Sequence, residues 1–503
     1  MLQRMKFDKN SVIGITLLAF LFIGYFYFTR QGQLELEAKQ KHIADSLAAL
    51  QPALKNTTDT TPVASLDTVN TTNASVGSLI QNGTSTETIS TIENELVKIS
   101  FTNKGARPIA VELKKYKSAD SADVKLMASQ FNKISYLINT GNNETASTDE
   151  LYFEAGEVKK ESDGSSSLDF SLQDSSGKSI THHFSLRPNT YLVTWQLQAK
   201  GADKLFSQNH INLVWQVQAD QHELDIQTEK RETQLGLLDE NGFDYFTMQD
   251  GLNKSWESGM KWLSIKQKFF NTTLIADQGF SHVDINCKMP PDSLKIVSQS
   301  VSNMQVNLPA AAVANLTFSF FVGPNDYHIL KAQKIELENI VNLGQGVYAF
   351  VKYINRWIVM PVFDFIQTYA LNYGLAIALL TIFIRLLTSP LIYSSYVSGA
   401  KMKALRPELD AIKAKFEGDQ QAFSMEQMKL YRSAGVNPLG GCIPALLQIP
   451  IFFALYAYFN ANIDLRGVSF WWSKDLSSFD AIFKWDFNIP GLGSHLSLFT
   501  YWR

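Results

Sequence analysis

Between about Ile92 and Val322 the chain alternates apolar and polar positions with a period of two, the signature of strands with one face buried. Tyr191, Val193, Trp195 and Leu197 alternate with Leu192, Thr194, Gln196 and Gln198. Leu213, Trp215 and Val217 repeat the pattern within Ile211–Gln218, and Leu316–Val322 adds another β-rich run. Many short strands without strong helices between them predict one large β-sandwich over 92–325. The period then changes. Lys331–Ile340 reads as a polar helix. Tyr348–Gln367 carries Phe350, Tyr353, Ile354, Trp357, Ile358, Val362, Phe365 and Ile366 beside Lys352 and Arg356, an aromatic-faced helix suited to the plane of a membrane surface.

Three runs are apolar enough to span a bilayer. Residues 12–28, VIGITLLAFLFIGYFYF, are free of charge and close to the shortest workable span. Arg4, Lys6 and Lys9 precede them as in a signal peptide, but no small-residue cleavage site follows, so an uncleaved anchor is expected. The second span is Tyr373–Ile392. The third, Leu439–Phe459, holds Gly440, Gly441, Cys442, Pro444, Ala445 and Pro450, small residues and prolines that suit close packing in a bundle. Gln448, Tyr456 and Asn460 fall at multiples of four along it and form a polar edge, open to substrate or to interhelical hydrogen bonding.

Between the second and third spans, Pro407 suits a first helical position, and Leu409, Ile412 and Phe416 repeat at three- and four-residue spacing. Glu417-Gly418-Asp419 breaks the pattern and Phe423–Ser433 resumes it. A short antiparallel helical hairpin is expected, either a connector or a docking site for a partner.

Composition alters this picture in two places. Residues 53–90 are rich in Thr, Ser and Asn and cannot bury enough apolar surface to fold, so they read as a tether. Lys401, Lys403, Arg406, Lys413, Lys415, Lys429 and Arg432 make 394–436 strongly basic and therefore cytoplasmic, which agrees with an inside N-terminus and an exported β domain. With 45% hydrophobic residues, a formal net charge of −3 and a near-neutral mean hydropathy, the chain reads as a soluble part joined to a membrane part.

Arg385 is the most constraining residue. It lies inside the apolar run Leu375–Leu387, roughly 10 Å from the far end of its span. A guanidinium stays charged at any working pH and costs about 2.5–3.5 kcal/mol at a membrane helix centre on insertion scales. It either snorkels to the cytoplasmic headgroups or faces a hydrated cavity. Thr381 one turn before it and Ser389 one turn after it form a polar stripe, which favours the cavity.

Other chemistry is sparse. His182, His183 and His222 lack metal-ligand or acid–base spacing and are expected as exposed strand residues. Cys287 and Cys442 are too few for a disulfide framework, and no disulfide is expected. No phosphate-cradling loop is present.

Val436-Asn437-Pro438-Leu439-Gly440-Gly441-Cys442, followed by Pro444, Leu447-Gln448, Pro450-Ile451-Phe452 and Ala454-Leu455-Tyr456, resembles the YidC-type membrane protein insertases of the Oxa superfamily. Thr381 and Arg385 at their spacing, Pro390, Ala400-Lys401-Met402, Pro407 and Val322-Gly323-Pro324 reinforce the likeness from the first span to about Phe459. The resemblance implies an α+β membrane protein of a Gram-negative inner membrane, with a periplasmic β-supersandwich, a membrane-embedded helical bundle and a cytoplasmic hairpin. Its arginine would stand in a hydrophilic groove open to cytoplasm and lipid.

Arg385, Thr381, Gln448 and Tyr456 are the expected groove residues, and Lys413, Lys415, Lys429 and Arg432 the expected docking residues of the hairpin. The implied partners are nascent membrane proteins, the Sec translocon, the ribosome or signal-recognition machinery, and lipid. No covalent step, no nucleotide, metal or other cofactor, and no sequence-specific nucleic-acid binding are implied. The alternative is a membrane-anchored periplasmic carbohydrate-binding or mutarotase-like enzyme, because large β-sandwiches host such activities.

The expected layout is a cytoplasmic N-terminus (1–10), a first span (11–29), a polar linker (30–91), the β domain (92–325) and connecting and interfacial helices (326–370). A second span (371–393), the hairpin (394–436), a third span (437–459) and a periplasmic loop (460–494) follow. His495–Tyr501 reads as the start of a fourth span within 495–503, and since the resemblance implies five helices, a truncated chain is expected.

Overall fold

The computed structural model describes residues 86–141, 144–174, 177–207, 209–257, 259–309, 311–416, 418–435, 443–471, 473–478, 483–489 and 493–496. The expected first span, most of the linker and the Val436–Cys442 stretch lie outside them. A β-sandwich domain and a helical C-terminal region make up the described chain.

Two large antiparallel sheets form the sandwich. A ten-stranded sheet is centred on Phe270–Phe280, Val313–Pro324, Leu192–Lys200 and Ser179–Leu186, in that spatial order. A six-stranded sheet has Ile296–Asn307 beside His210–Asp220 at its middle. A four-stranded sheet, Ile89–Glu93 to Asp123–Leu126, completes the domain. The period-two pattern decides which side chains go inward. Val193, Trp195, Leu197 and Ala199 from one sheet and Leu213, Trp215 and Val217 from the other are buried. Trp195 stacks on Phe318 and Phe320, with ring centroids 4.7 and 5.9 Å apart.

Gly323 lies near the end of Val313–Pro324, where the Tyr191 ring is so close that an added Cβ would come within 2.8 Å of it, so only glycine fits. Asn325 follows and donates through Nδ2 to the carbonyls of Gln267, Lys268 and Phe270, fixing the turn that joins Met260–Lys266 to Phe270–Phe280.

His182 corrects the expectation of exposed strand histidines. It falls in phase with Ile180, Phe184 and Leu186 on the inward face of its strand, and its ring is only 1% exposed, among Phe153, Phe184 and Trp195. His222 is also buried and lies in the loop after His210–Asp220. Both ring nitrogens of His182 are satisfied in the interior: Nδ1 donates to the Ala106 carbonyl at 2.9 Å, which leaves Nε2 to accept from the Tyr136 hydroxyl at 2.7 Å. His183, in contrast, is half-buried and pairs with Asp169 at 2.6 Å. Cys287 is buried as a free thiol.

The expected polar helix at Lys331–Ile340 is not continuous. Tyr327–Lys331 is helical, Lys334 and Glu336 take positive φ, and Leu337–Ile340 is a separate 3-10 turn whose Leu337 and Ile340 are buried. The aromatic helix runs from Val351–Ile354 through a π-helical segment, Asn355–Val359, into α1 (Met360–Tyr369). Pro361 explains the widening. It has no N–H to give and its ring crowds the preceding turn. Val351, Val359, Met360 and Phe363 face inward, while Phe350, Tyr353, Trp357, Phe365 and Tyr369 are exposed.

The second apolar helix, α2, is Tyr373–Ala404. Asn372 caps it by accepting from the Leu375 N–H at 2.8 Å. At 32 residues it is roughly 48 Å long, against about 30 Å of hydrocarbon, so it runs well past the expected end at 393. Among the described residues Tyr373–Pro390 is the one stretch long and apolar enough to cross a membrane.

After α2 come α3 (Arg406–Lys415) and α4 (Gln420–Ser433), which touch each other; then α5 (Ile443–Ala461). Asp419 caps α4 through the N–H groups of Gln421 and Ala422. Of the expected fourth-span start, His495–Tyr501, only the first two residues are described. Gly493–Leu496 pairs antiparallel with Phe483–Ile489, placing His495 opposite Lys484 in a strand. Residues 497–503 lie outside the described set.

Candidate functional site

The α2 helix has two unlike faces. Ala376, Leu380, Ile384 and Thr388, four residues apart, are buried against the rest of the helical region. Thr381, Arg385 and Ser389, also four apart, are exposed. Their hydroxyls are satisfied within the helix: Thr381 donates to the Ile377 carbonyl at 2.9 Å and Ser389 to that of Leu386 at 2.8 Å. Both oxygens remain able to accept from water. Among the described residues no carboxylate lies within ion-pair distance of Arg385. A guanidinium is therefore presented without a counter-charge on a helix otherwise apolar enough for a bilayer.

Along α5, Ala454, Ala457 and Tyr458 are buried and Phe363 of α1 packs on Tyr458 with ring centroids 5.5 Å apart. Gln448 and Tyr456 are exposed, with Phe452 on the same face stacked on Tyr456. The helices α2 and α5 touch. No hydrogen bond joins Arg385 to Gln448 or Tyr456; what these residues share is exposure on neighbouring helices.

The helical pair α3 and α4 contains no buried residue. Leu409, Ile412, Phe416, Phe423 and Leu430 are half-covered along a thin seam, and Lys413, Lys415, Lys429 and Arg432 stand exposed. Lys429 pairs with Glu426 one turn earlier at 3.0 Å. Exposed pairs of this kind contribute little to stability, so the basic surface is available to partners.

Sequence reasoning missed a second cluster, where the loop after α5 meets the β domain. Arg466 is 243 residues from Glu223 in sequence, yet its Nε donates to Glu223 Oε1 at 2.7 Å. The side chains are 7% and 10% exposed. The guanidinium also donates to the carbonyls of His222 and Lys117 and lies over the Phe270 ring at 5.1 Å. Below it, buried Glu229 accepts from the N–H groups of His222 and Glu223 and from Gln267 Nε2. Burial, and then the Glu223 charge, push the Glu229 carboxyl up to about 7. No local signal marks Arg466, a lone arginine in a loop.

Beside it, Asp326, Asp364 and Asp464 converge on a recess of about 40 Å³, also lined by His328 and Tyr458. His328 Nε2 is 3.1 Å from Asp364. Desolvation, followed by Asp326 and Asp364, raises the Asp464 carboxyl to about 6. The folded state therefore holds a proton that the unfolded chain gives up near 4, and stability from this group falls as pH rises from about 4 to 6. Asp464→Asn is expected to raise the thermal midpoint of the whole chain above pH 6, with the gain vanishing at pH 4. The test is a thermal melt of both proteins at pH 7.5 and pH 4. A gain that persists undiminished at pH 4 would rule out charge repulsion as its origin.

Comparison with known proteins places these features. Residues 90–361 match the model described as YidC periplasmic domain, and 365–501 match that of the 60Kd inner membrane protein. Proteins named membrane protein insertase YidC are 33% identical in Bacteroides fragilis and 34% in Cytophaga hutchinsonii, each covering 98% of this chain and 80% of the relative.

The chain belongs to the YidC membrane protein insertase family.

Its function is therefore membrane protein insertion, and it is an inner-membrane protein. Among solved structures, a galactose mutarotase related enzyme from Lactobacillus acidophilus aligns with a TM-score of 0.32 at 11% identity, covering 47% of this chain and 97% of that one. The family membership covers both halves of the chain, so the sugar-enzyme alternative is set aside. Each YidC half carries one of the two clusters: the exposed Arg385 face lies in the helical half, and the platform that receives Arg466 lies in the periplasmic-type half.

Proposed function

We propose that Arg385 is the fixed charge of a hydrophilic groove through which nascent inner-membrane proteins pass, with Thr381, Gln448 and Tyr456 lining it. The carrying observation is that α2 buries Ala376, Leu380, Ile384 and Thr388 and presents on its exposed side, among apolar residues, the Arg385 guanidinium with no ion-pair partner among the described residues. Water in such a groove lowers the barrier to a polar tail, and the positive charge attracts acidic residues in it. The apolar segment of the substrate then leaves sideways into lipid. In this reading the N-terminus and α3–α4 are cytoplasmic, the β domain is periplasmic, and insertion proceeds alone or beside the Sec translocon. The basic charge of 394–436 supports that orientation.

Solvent accessibility tests the groove. Thr381→Cys in membrane vesicles is expected to react with a water-soluble thiol reagent from the cytoplasmic side only, and photo-crosslinkers at Thr381 and Gln448 to capture a stalled substrate helix. A cysteine that stays dry from both sides overturns the groove.

The α3–α4 pair is assigned the docking of ribosomes, targeting factors or nascent chains, on the strength of its exposed basic residues and absence of buried ones. Deleting Pro407–Ser433 is expected to abolish insertion while the protein still accumulates in the membrane. Reversing Lys413 and Lys415 together is expected to weaken insertion less, and less still at high salt, because exposed charges are screened over about 8–10 Å. Normal insertion by the deletion would reduce the pair to a connector.

A further inference from the structure

Residues 462–478, which leave the end of α5, touch three separate parts of the molecule. First, Asn462 caps a 3-10 turn, Ile463–Leu465, whose Ile463 and Leu465 are buried in the hydrophobic core. Second, Arg466 enters the β domain and makes the buried contacts to Glu223, His222, Lys117 and Phe270. Lys268 in the turn before Phe270 reaches the other end of the segment, donating to the Ser477 carbonyl at 3.0 Å. Third, Phe470 lies against Gly374 at the start of α2, so close that a Cβ there would come within 2.2 Å of the ring. The segment is also closed on itself, with Leu476 N–H donating to Val468 and Asp475 Oδ1 accepting from Gly467 and Ser477 N–H groups.

We propose that this segment is a strap by which the β domain positions α2 and α5 against each other, with Arg466 as its positioning residue. The chemistry suits a fixed clasp. A guanidinium forks to a carboxylate and two carbonyls at once, which a lysine ammonium on a flexible stem does less well. Removing one member of a buried pair leaves the other charged and unsatisfied, so the clasp is either closed with Arg466 inside or open with the whole strap released. Because Phe470 bears on the first turn of the helix that carries Arg385, release of the strap frees the end of that helix. The exported domain is thereby given a part in insertion that requires no contact with substrate.

The test uses the full chain in lipid nanodiscs for hydrogen exchange and in vesicles for insertion. Arg466→Ala is expected to speed exchange across 462–478 by at least about tenfold, while the central strands Leu192–Lys200 and Val313–Pro324 keep their protection. Crosslinking of a stalled nascent chain from position 448 is expected to persist while the rate of insertion falls several-fold. A purely structural role would lower both together through lost protein. Arg466→Lys should recover part of the rate, and pairing Arg466→Glu with Glu223→Arg should recover more than either change alone. Gly374→Val attacks the strap from its other end and is expected to slow insertion with the Arg466 clasp still protected. An open strap with undiminished insertion, or a strap whose exchange is unchanged in Arg466→Ala, overturns the proposal. Failure of the groove reading looks different, since the unmodified chain would then give no crosslink from position 448.

Discussion

Arg385→Glu is expected to abolish insertion, and Arg385→Ala to reduce it at least about tenfold for substrates with acidic exported tails. Opposite unit charges 4 Å apart attract by ~1 kcal/mol in water and ~4 kcal/mol at an effective dielectric near 20, and tenfold corresponds to about 1.4 kcal/mol. Arg385→Lys should keep much of the activity. Attraction to a hydrated acidic segment needs charge and not the planar fork that distinguishes arginine from lysine. Substrates with uncharged tails should suffer least from Arg385→Ala, and Thr381→Val should give a smaller defect in the same direction. A snorkelling arginine predicts the reverse: alanine would be harmless, or would stabilise the helix by removing a charge that costs a few kcal/mol in lipid. Insertion rates of two or three substrates differing only in tail charge separate these outcomes.

The β domain is expected to be acid-sensitive through its buried histidines. Burial lowers both His182 and His222 to about 4; for His222 the neighbouring Arg466 charge acts in the same direction. The unfolded chain takes up these protons near pH 6.5, so the stabilisation present above 6.5 is lost as pH falls toward 4. For His182 alone the loss approaches ~3 kcal/mol. Glu229 runs the other way, since its raised value means that stability is lost as pH rises from about 4.5 to 7. Comparing variants removes that opposing slope. His182→Gln should flatten the acid limb between pH 6.5 and 4 while lowering stability at pH 7. Tyr136→Phe, which strands His182 Nε2 without its donor, should cost about 1–3 kcal/mol at pH 7. Denaturant unfolding of the full chain, followed by fluorescence of the buried Trp195, Trp215 and Trp262, measures both. An unaltered acid limb in His182→Gln would locate the sensitivity elsewhere.

What the sequence by itself determined is what repeats over a few residues. Trp195 and Trp215 face inward because strand geometry alternates side chains, and the neighbours at two-residue spacing already showed which face was apolar. Thr381, Arg385 and Ser389 share an exposed stripe because a helix returns to the same face every three to four residues. The cap at Asp419 is local chemistry too. Tertiary structure decided what depends on a partner far along the chain. The phase of His182 with Ile180, Phe184 and Leu186 marks the inward face of its strand, but what satisfies its ring, the Ala106 carbonyl in a turn and the Tyr136 hydroxyl in the other sheet, only the fold brought to it. The α2 helix passes Pro390 and continues to Ala404, past the end of its apolar run, so hydrophobicity located the span but not the end of the helix. No local pattern marks Arg466, and only the fold brought Glu223, Lys117 and Phe270 around it. A buried ion pair spanning 243 residues has no period and no motif; it exists only once two distant surfaces have been packed together.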